Sequence, residues 1–151
     1  MLLADAAVRL SLAASLAYLP AAKLATGASC SDYAQRLSPS YSFAQQVTVD
    51  DLAASATVFD GADGGCLVAF RGSTELRNYA SMFNLLLTDS RLDGGGGGRV
   101  HRGYQEASLR LYDKLSPVLA TRAPEQTIFV GHSYGGGTAT SAWFASLTRK
   151  T

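Results

Sequence analysis

The sequence has 151 residues, 47% hydrophobic and 17% charged, which suits one packed domain and excludes a disordered or low-complexity chain. A formal net charge of +1, with no Lys/Arg cluster interleaved with aromatics, gives no basis for nucleic-acid binding or for adhesion to an anionic membrane. The two cysteines, Cys30 and Cys66, make no CxxC pair and no zinc-spaced group with His; two buried thiols is the plain reading, and a Cys30–Cys66 disulfide, which needs an oxidising compartment, is the alternative.

Leu3, Ala6, Ala7, Leu10, Ala13, Ala14 and Ala17 fall on one face at helical spacing, which predicts a helix over residues 2–19 that ends at Pro20. Pro20 and Lys23 break this apolar stretch well before the roughly 20 residues of a membrane span. A secretory signal is the rival reading, but Asp5 precedes Arg9, so the start is not clearly basic. The compartment stays open.

A polar, Ser-rich connector with Pro39 is expected over residues 26–46. Two strands follow, "SATVFD" at 55–60 and "CLVAF" at 66–70. The "GADGG" between them suits the positive φ angles of a short hairpin loop. "CLVAF" is apolar throughout, as expected of a strand buried on both faces. Residues 73–87 show weak helical periodicity, and the five glycines at 94–98 predict a flexible loop. That loop has no Lys and no helix start behind it, so it is not a phosphate-binding loop.

An amphipathic helix is predicted from Tyr104 to about Arg122. Its stripe is Tyr104, Ala107, Leu111, Leu115, Val118 and Leu119. Pro117 should kink it or start a new turn. "TIFVG" (127–131) reads as a second buried strand, and "GGTATSAWFASL" (136–147) as a helix of small residues. Helix and strand alternate in this half, which predicts an α/β domain with helices across the faces of a sheet.

Gly131-His132-Ser133-Tyr134-Gly135 matches G-x-S-x-G between that strand and that helix. In this setting the serine sits on a sharp turn, with its Oγ above the sheet at a helix N-terminus. Side chains at Gly131 or Gly135 would clash where helix and strand pass close. The helix N-terminus offers unpaired N–H groups to a developing oxyanion. An ordinary serine on a Gly-rich turn is the bland alternative. His132 is not the expected base, because neighbouring side chains on a tight turn point apart.

Two further segments precede the elbow in order, "LVAFRGSTELRNYASMFN" and "VHRGYQEA". With "VGHSYGG" they resemble the class 3 lipases, the fungal-lipase-like branch of the α/β hydrolases. That family carries F-R-G-[ST] after a strand, a mobile segment with an N-W pair, then H-x-G-F and G-H-S-x-G. The resemblance covers about residues 50–147 and extends to the first helix, so the chain, 1–151, reads as one partial domain of this type. It implies an α/β-hydrolase fold with a central, mostly parallel sheet.

By this resemblance Ser133 is the nucleophile, and Tyr134 gives a backbone N–H to the oxyanion hole. Ser73 gives a second N–H and a hydroxyl. The segment from about Glu75 to Leu87 is where the family keeps its lid, so Leu76, Tyr79, Met82, Phe83 and Leu86 are candidates to face lipid; a plain surface helix is the other reading there. His101, in the H-x-G-F-like motif, should be structural. Tyr79 and Tyr104 stand where Trp and Phe are usual. The implied reaction is ester hydrolysis of acylglycerols or related lipids through an acyl-enzyme, with no metal and no cofactor. Feruloyl-type or thioester hydrolysis is a further possibility, since acyl and leaving-group contacts lie on loops.

In α/β hydrolases the triad runs Ser, then Asp or Glu, then His. Residues 134–151 contain none of these three acid or base types. The expectation is therefore an N-terminal piece of a lipase domain, inert or nearly so by itself. A non-catalytic lipid- or partner-binding module is the competing function.

Overall fold

The computed structural model describes residues 2–26, 37, 41–74, 86–92, 98–122 and 124–148. Helix α1 spans Leu2–Leu16 and the short α2 spans Ala21–Thr26. Strands β1 (Tyr41–Val49), β2 (Ala54–Gly61) and β3 (Cys66–Phe70) follow. A small hairpin is made by β4 (Leu87–Asp89) and β5 (Arg99–His101). Helix α3 (Arg102–Leu119), strand β6 (Thr127–Gly131) and helix α4 (Tyr134–Thr148) complete the described chain.

The main sheet has the order β1-β2-β3-β6. It is mixed, and the expected mostly parallel sheet is not what forms: β1–β2 and β2–β3 are antiparallel, and only β3–β6 is parallel. Connection length dictates this. Four residues join each of the first two pairs, which allows only an antiparallel return. A parallel return needs a crossover of a dozen residues or more, and only the long β3-to-β6 connection, with α3 inside it, has that length. The β2–β3 hairpin is as expected; Gly64, at φ 86°, takes its left-handed position.

Strand β1 was not anticipated: residues 41–46 belong to it, not to a polar connector. Its pairing slips between Phe43 and Gln45, so Phe43 faces Phe59 while Gln45 faces Val58. This bulge moves the strand's apolar residues from one face to the other. Tyr41 and Phe43 pack beside Phe59, whereas Val47 packs and Val49 is buried with the cluster on the opposite face.

Two cores sandwich the sheet. Cys66, Val68 and Phe70 of β3 join Val58, Ala107, Leu111, Leu115 and Tyr134 on the α3/α4 side. Leu67 and Ala69 join Phe59, Ala13, Leu16 and Ala17 on the α1 side. Strand β3 is thus buried on both faces, as its apolar run predicts. Strand β6 is not the fully buried strand expected. It is the last strand of the sheet as described, and Ile128 is 38% exposed.

Helix α1 meets the sheet only with its C-terminal half. Ala13, Ala14 and Ala17 are buried as expected, with Leu12 and Leu16, but Ala6 and Ala7 are exposed. The helix ends a little short of the expected boundary, in a turn closed by Tyr18 N–H to Ser15 O at 3.2 Å and Leu19 N–H to Leu16 O at 2.9 Å. Helix α3 runs through Pro117 without a break. Leu87, expected at the end of a helix over 73–87, lies in β4 instead. Most of that expected helix, and most of the glycine run at 94–98, fall outside the described residues. Cys66 is a buried free thiol whose Sγ lies 3.5 Å from Thr127 Oγ1, and Cys30 lies outside the described residues. Among the described residues no helix is long and apolar enough to cross a membrane.

Candidate active site

The parallel register of β3 and β6 builds the site. Phe70 lies opposite Gly131, so both strands end at the same level. The chain leaves β3 as Arg71-Gly72-Ser73 and leaves β6 as His132-Ser133, and the two turns emerge side by side. The carboxyl ends of parallel strands are where open α/β sheets bind ligands.

Ser133 occupies the turn between β6 and α4 with φ at 56°, the left-handed region. For a non-glycine residue this costs about 1–2 kcal/mol. The turn is held by Gly135 N–H to His132 O at 3.0 Å and by Gly136 N–H to Ser133 O at 2.9 Å. Ser133 is exposed on the bend rather than packed in the interior. Strain held at an exposed serine on a strand-to-helix bend is a feature of functional sites.

Both elbow glycines are sterically required. A Cβ on Gly131 would stand 2.2 Å from Gly135 O, and one on Gly135 would stand 2.2 Å from Phe70 O. All the nearest atoms are backbone, so no side chain can swing aside. Gly72 is enclosed too: a Cβ there would meet His132 O at 2.7 Å and the Tyr18 hydroxyl at 2.0 Å. The turn that carries Ser73 therefore packs directly on the elbow that carries Ser133. Ser73 itself is partly buried.

Tyr134 opens α4, so its amide is one of the helix's first donors, which have no acceptor within the helix. Its side chain is 1% exposed. Burial first, and the nearby Tyr104 second, push its phenol up to about 12. The ring stacks at a tilt on Tyr104, 5.3 Å between centroids, and Tyr104 packs on His101 at 4.6 Å. His101 caps α3: its Nδ1 accepts the Tyr104 N–H at 3.4 Å. Its structural assignment by resemblance agrees with that geometry. The His132 ring turns to α1, where its Nδ1 lies 3.1 Å from the Tyr18 hydroxyl. Tyr18 carried no signal in the sequence; it reaches the site only because α1 packs across the ends of β3 and β6.

Of the lid candidates, Leu76, Tyr79, Met82 and Phe83 lie outside the described residues. Leu86 is 62% exposed, just before β4, and its carbonyl accepts the Arg102 N–H at 3.0 Å. A groove of about 1270 Å³ runs between α1 and α4 along the open side of β6, lined among others by Leu10, Tyr18, Ile128, His132 and Trp143. It reaches His132 but does not include Ser133. It is the uncovered margin of the described sheet and not a cleft over the serine. Among the described residues no His, Cys, Asp or Glu group is arranged to hold a metal ion.

Comparison with known proteins fits this geometry. The family described as Lipase (class 3) matches residues 67–150. Among solved structures, a fungal lipase–inhibitor complex is similar with a TM-score of 0.77 at 17% identity, over 99% of this chain and 57% of that one. The lipase of Rhizopus microsporus var. chinensis gives 0.75 at 20% identity, over 99% and 53%. Lipase II of Rhizopus niveus gives 0.75 at 19% identity, over 99% and 58%. The chain thus spans little more than half the length of the lipases it matches. No curated protein matches the sequence.

Proposed function

Because this chain belongs to the class 3 lipase family, we propose that it is part of a serine ester hydrolase acting on acylglycerols or related lipid esters, with Ser133 as nucleophile. The observation that carries this reading is the left-handed, exposed Ser133 at the β6–α4 bend, with the Gly72-Ser73 turn packed against it.

In this scheme Ser133 Oγ attacks the acyl carbon and its proton passes to a base. The carbonyl oxygen becomes an oxyanion held by the N–H groups of Tyr134 and Ser73, with the Ser73 hydroxyl as a third donor. Each such donor is worth about 3 kcal/mol of transition-state stabilisation. The alcohol leaves with a proton from the protonated base, and water then releases the acid from the acyl-enzyme. No metal or cofactor enters the scheme. Leu86 and the segment before it would meet the lipid.

Neither histidine of the sequence is placed as the base. Residues 134–151 contain no Asp, Glu or His, His101 caps α3 and His132 is engaged by Tyr18. The reading therefore takes neither histidine of this sequence as the base and names no acid. Loss of the base costs on the order of a million-fold in kcat, so these residues alone should turn over almost nothing.

A fluorophosphonate probe tests this. The purified 151-residue polypeptide is treated with and without imidazole as an exogenous base, and mass spectrometry locates the adduct. Slow modification confined to Ser133, accelerated by imidazole and lost in Ser133→Ala, is expected. Equal modification of several serines would refute Ser133 as the nucleophile. Fast modification of Ser133 without imidazole would refute the expected inactivity of these residues alone.

A further inference from the structure

The Tyr18 hydroxyl lies where three segments meet. It is 3.1 Å from His132 Nδ1, and it would be 2.0 Å from a Cβ on Gly72, so it rests against the Gly72 backbone. The same imagined Cβ would be 2.7 Å from His132 O. Gly72 precedes Ser73, and His132 precedes Ser133. One hydroxyl thus touches the residue before the proposed oxyanion donor and the residue before the proposed nucleophile.

Tyr18 is also firmly mounted. Leu16 and Ala17 are buried against Phe59, Leu67 and Ala69. The carbonyl of Leu19 accepts a hydrogen bond from Gln46 Nε2 at 3.0 Å, and the same Nε2 reaches Thr57 Oγ1 at 3.1 Å. The end of α1 is therefore tied to β1 and β2 independently of the two turns it touches. Backbone turns that emerge side by side from two strands have no ladder of their own beyond the strand ends; a wedge held from a third element can fix their separation.

We propose that Tyr18 is a positioning residue, whose hydroxyl, bonded to His132 and seated on Gly72, sets the spacing between the turn that carries Ser73 and the bend that carries Ser133. This rests on the hydrolase reading for its catalytic meaning, but its geometry does not. Tyr18 touches no reacting atom; it acts by holding the oxyanion amides at a fixed distance from the nucleophile. Electrostatic stabilisation of this kind depends on donors kept in place before the charge forms.

The test compares Tyr18→Phe with the unaltered chain in three ways. The first is the ¹⁵N signature of the His132 ring, which should change when Nδ1 loses its partner. The second is amide hydrogen exchange, which should speed up about tenfold at Gly135 and Gly136, whose N–H groups bond His132 O and Ser133 O across the bend, the scale of one lost hydrogen bond, with no change at the β1–β2 ladder. The third is the imidazole-assisted fluorophosphonate rate at Ser133, which should fall about tenfold or more for a displaced oxyanion donor. Gly72→Ala is the second variant: it should disturb the same amides, and adding Tyr18→Phe should restore part of the loss by removing the hydroxyl that the new methyl meets.

Unchanged ring signals and unchanged Gly135 and Gly136 exchange in Tyr18→Phe would overturn the proposal. So would equal acceleration at every amide, which marks a merely structural residue. If Ser133 in the unaltered chain shows no selective reaction with the probe, the hydrolase reading fails, while the ring and exchange measurements still decide the positioning role.

Discussion

Replacing Gly135 by Ala tests how α4 is seated on the end of β3. Alanine is the better helix former by about 1 kcal/mol, so propensity alone predicts a more stable protein. The packing predicts the opposite. The new Cβ would lie 2.2 Å from Phe70 O, 2.8 Å from Phe70 C and 2.9 Å from Arg71 C. These are backbone atoms at the end of β3, so α4 itself must move by most of an ångström. Tyr134, Thr138, Ala139, Ala142 and Ala145 of α4 are all buried and would move with it. Overpacking against side chains costs about 1–3 kcal/mol, and a rigid backbone obstacle belongs at or above the top of that range. The net loss is about 2 kcal/mol, or a fall in Tm of about 4–8 °C for a domain of this size. Gly136 is the internal control. Its Cβ would come no nearer than 3.3 Å to Gly131 O, a contact that a shift of a few tenths of an ångström relieves, so Gly136→Ala should stay within about 1 kcal/mol of the unaltered chain. Thermal and urea unfolding followed by circular dichroism would rank the two variants. If Gly135→Ala melts no lower than Gly136→Ala, helix α4 is not seated on the end of β3 and the account of the bend is wrong.

Ser133→Gly should be more stable than Ser133→Ala by about 0.5–1 kcal/mol in urea titrations, because glycine takes a φ of 56° without a Cβ penalty; equal midpoints would mean the bend holds no strain. Burial raises the Tyr134 phenol from 10.0 to about 12, so its contribution is intact below pH 10 and lost as pH climbs to 12, where the unfolded chain gives up the proton and the folded one keeps it; wild type should lose about 1.4 kcal/mol per pH unit in that window relative to Tyr134→Phe, and parallel pH curves would contradict the burial. Gln105 is 1% exposed, with Oε1 accepting the Arg91 N–H at 2.6 Å and Nε2 donating to Asp89 O at 3.2 Å; Gln105→Leu should cost about 1–3 kcal/mol by stranding those groups and should speed exchange at the Arg91 amide, and a neutral result would show that water replaces the clamp. Burial also raises the Cys66 thiol, so iodoacetamide at pH 8 should modify Cys66 only in denaturant; rapid alkylation of the folded chain would place it at the surface.

Much of this fold is legible because its signals are local. "GADGG" between two apolar runs demands a hairpin, and the β2–β3 pair forms there. The stripe from Tyr104 to Leu119 demands a helix, and α3 buries Ala107, Leu111 and Leu115. Strand β1 escapes because its signal is broken by its own bulge. Tyr41, Phe43, Val47 and Val49 look like one continuous alternation interrupted by polar Gln45 and Gln46, yet the extra residue at Ala44 sends the two ends to opposite cores. The mostly parallel sheet is an inference from resemblance that the loop lengths already oppose, since short connections between β1, β2 and β3 permit only antiparallel pairing.

The site divides along the same line. Its bend is written into five consecutive residues, and the sterics at Gly131 and Gly135 give each glycine a reason that local sequence can express. The partner turn is written sixty residues earlier in "FRGS", and the β3–β6 register is what brings it alongside. Tyr18 is different in kind. It contacts His132 across 114 positions, and nothing in "SLAYLP" distinguishes it from any tyrosine at a helix end. Its place follows from where α1 crosses the sheet, which depends on the packing of Leu16 and Ala17 rather than on a motif. Local geometry therefore announces a serine, while the spacing that would make it reactive is set by tertiary contacts. A substitution at Tyr18 should consequently alter chemistry at Ser133 without altering any residue of the G-x-S-x-G pattern, and that separation is what makes the two contributions measurable apart.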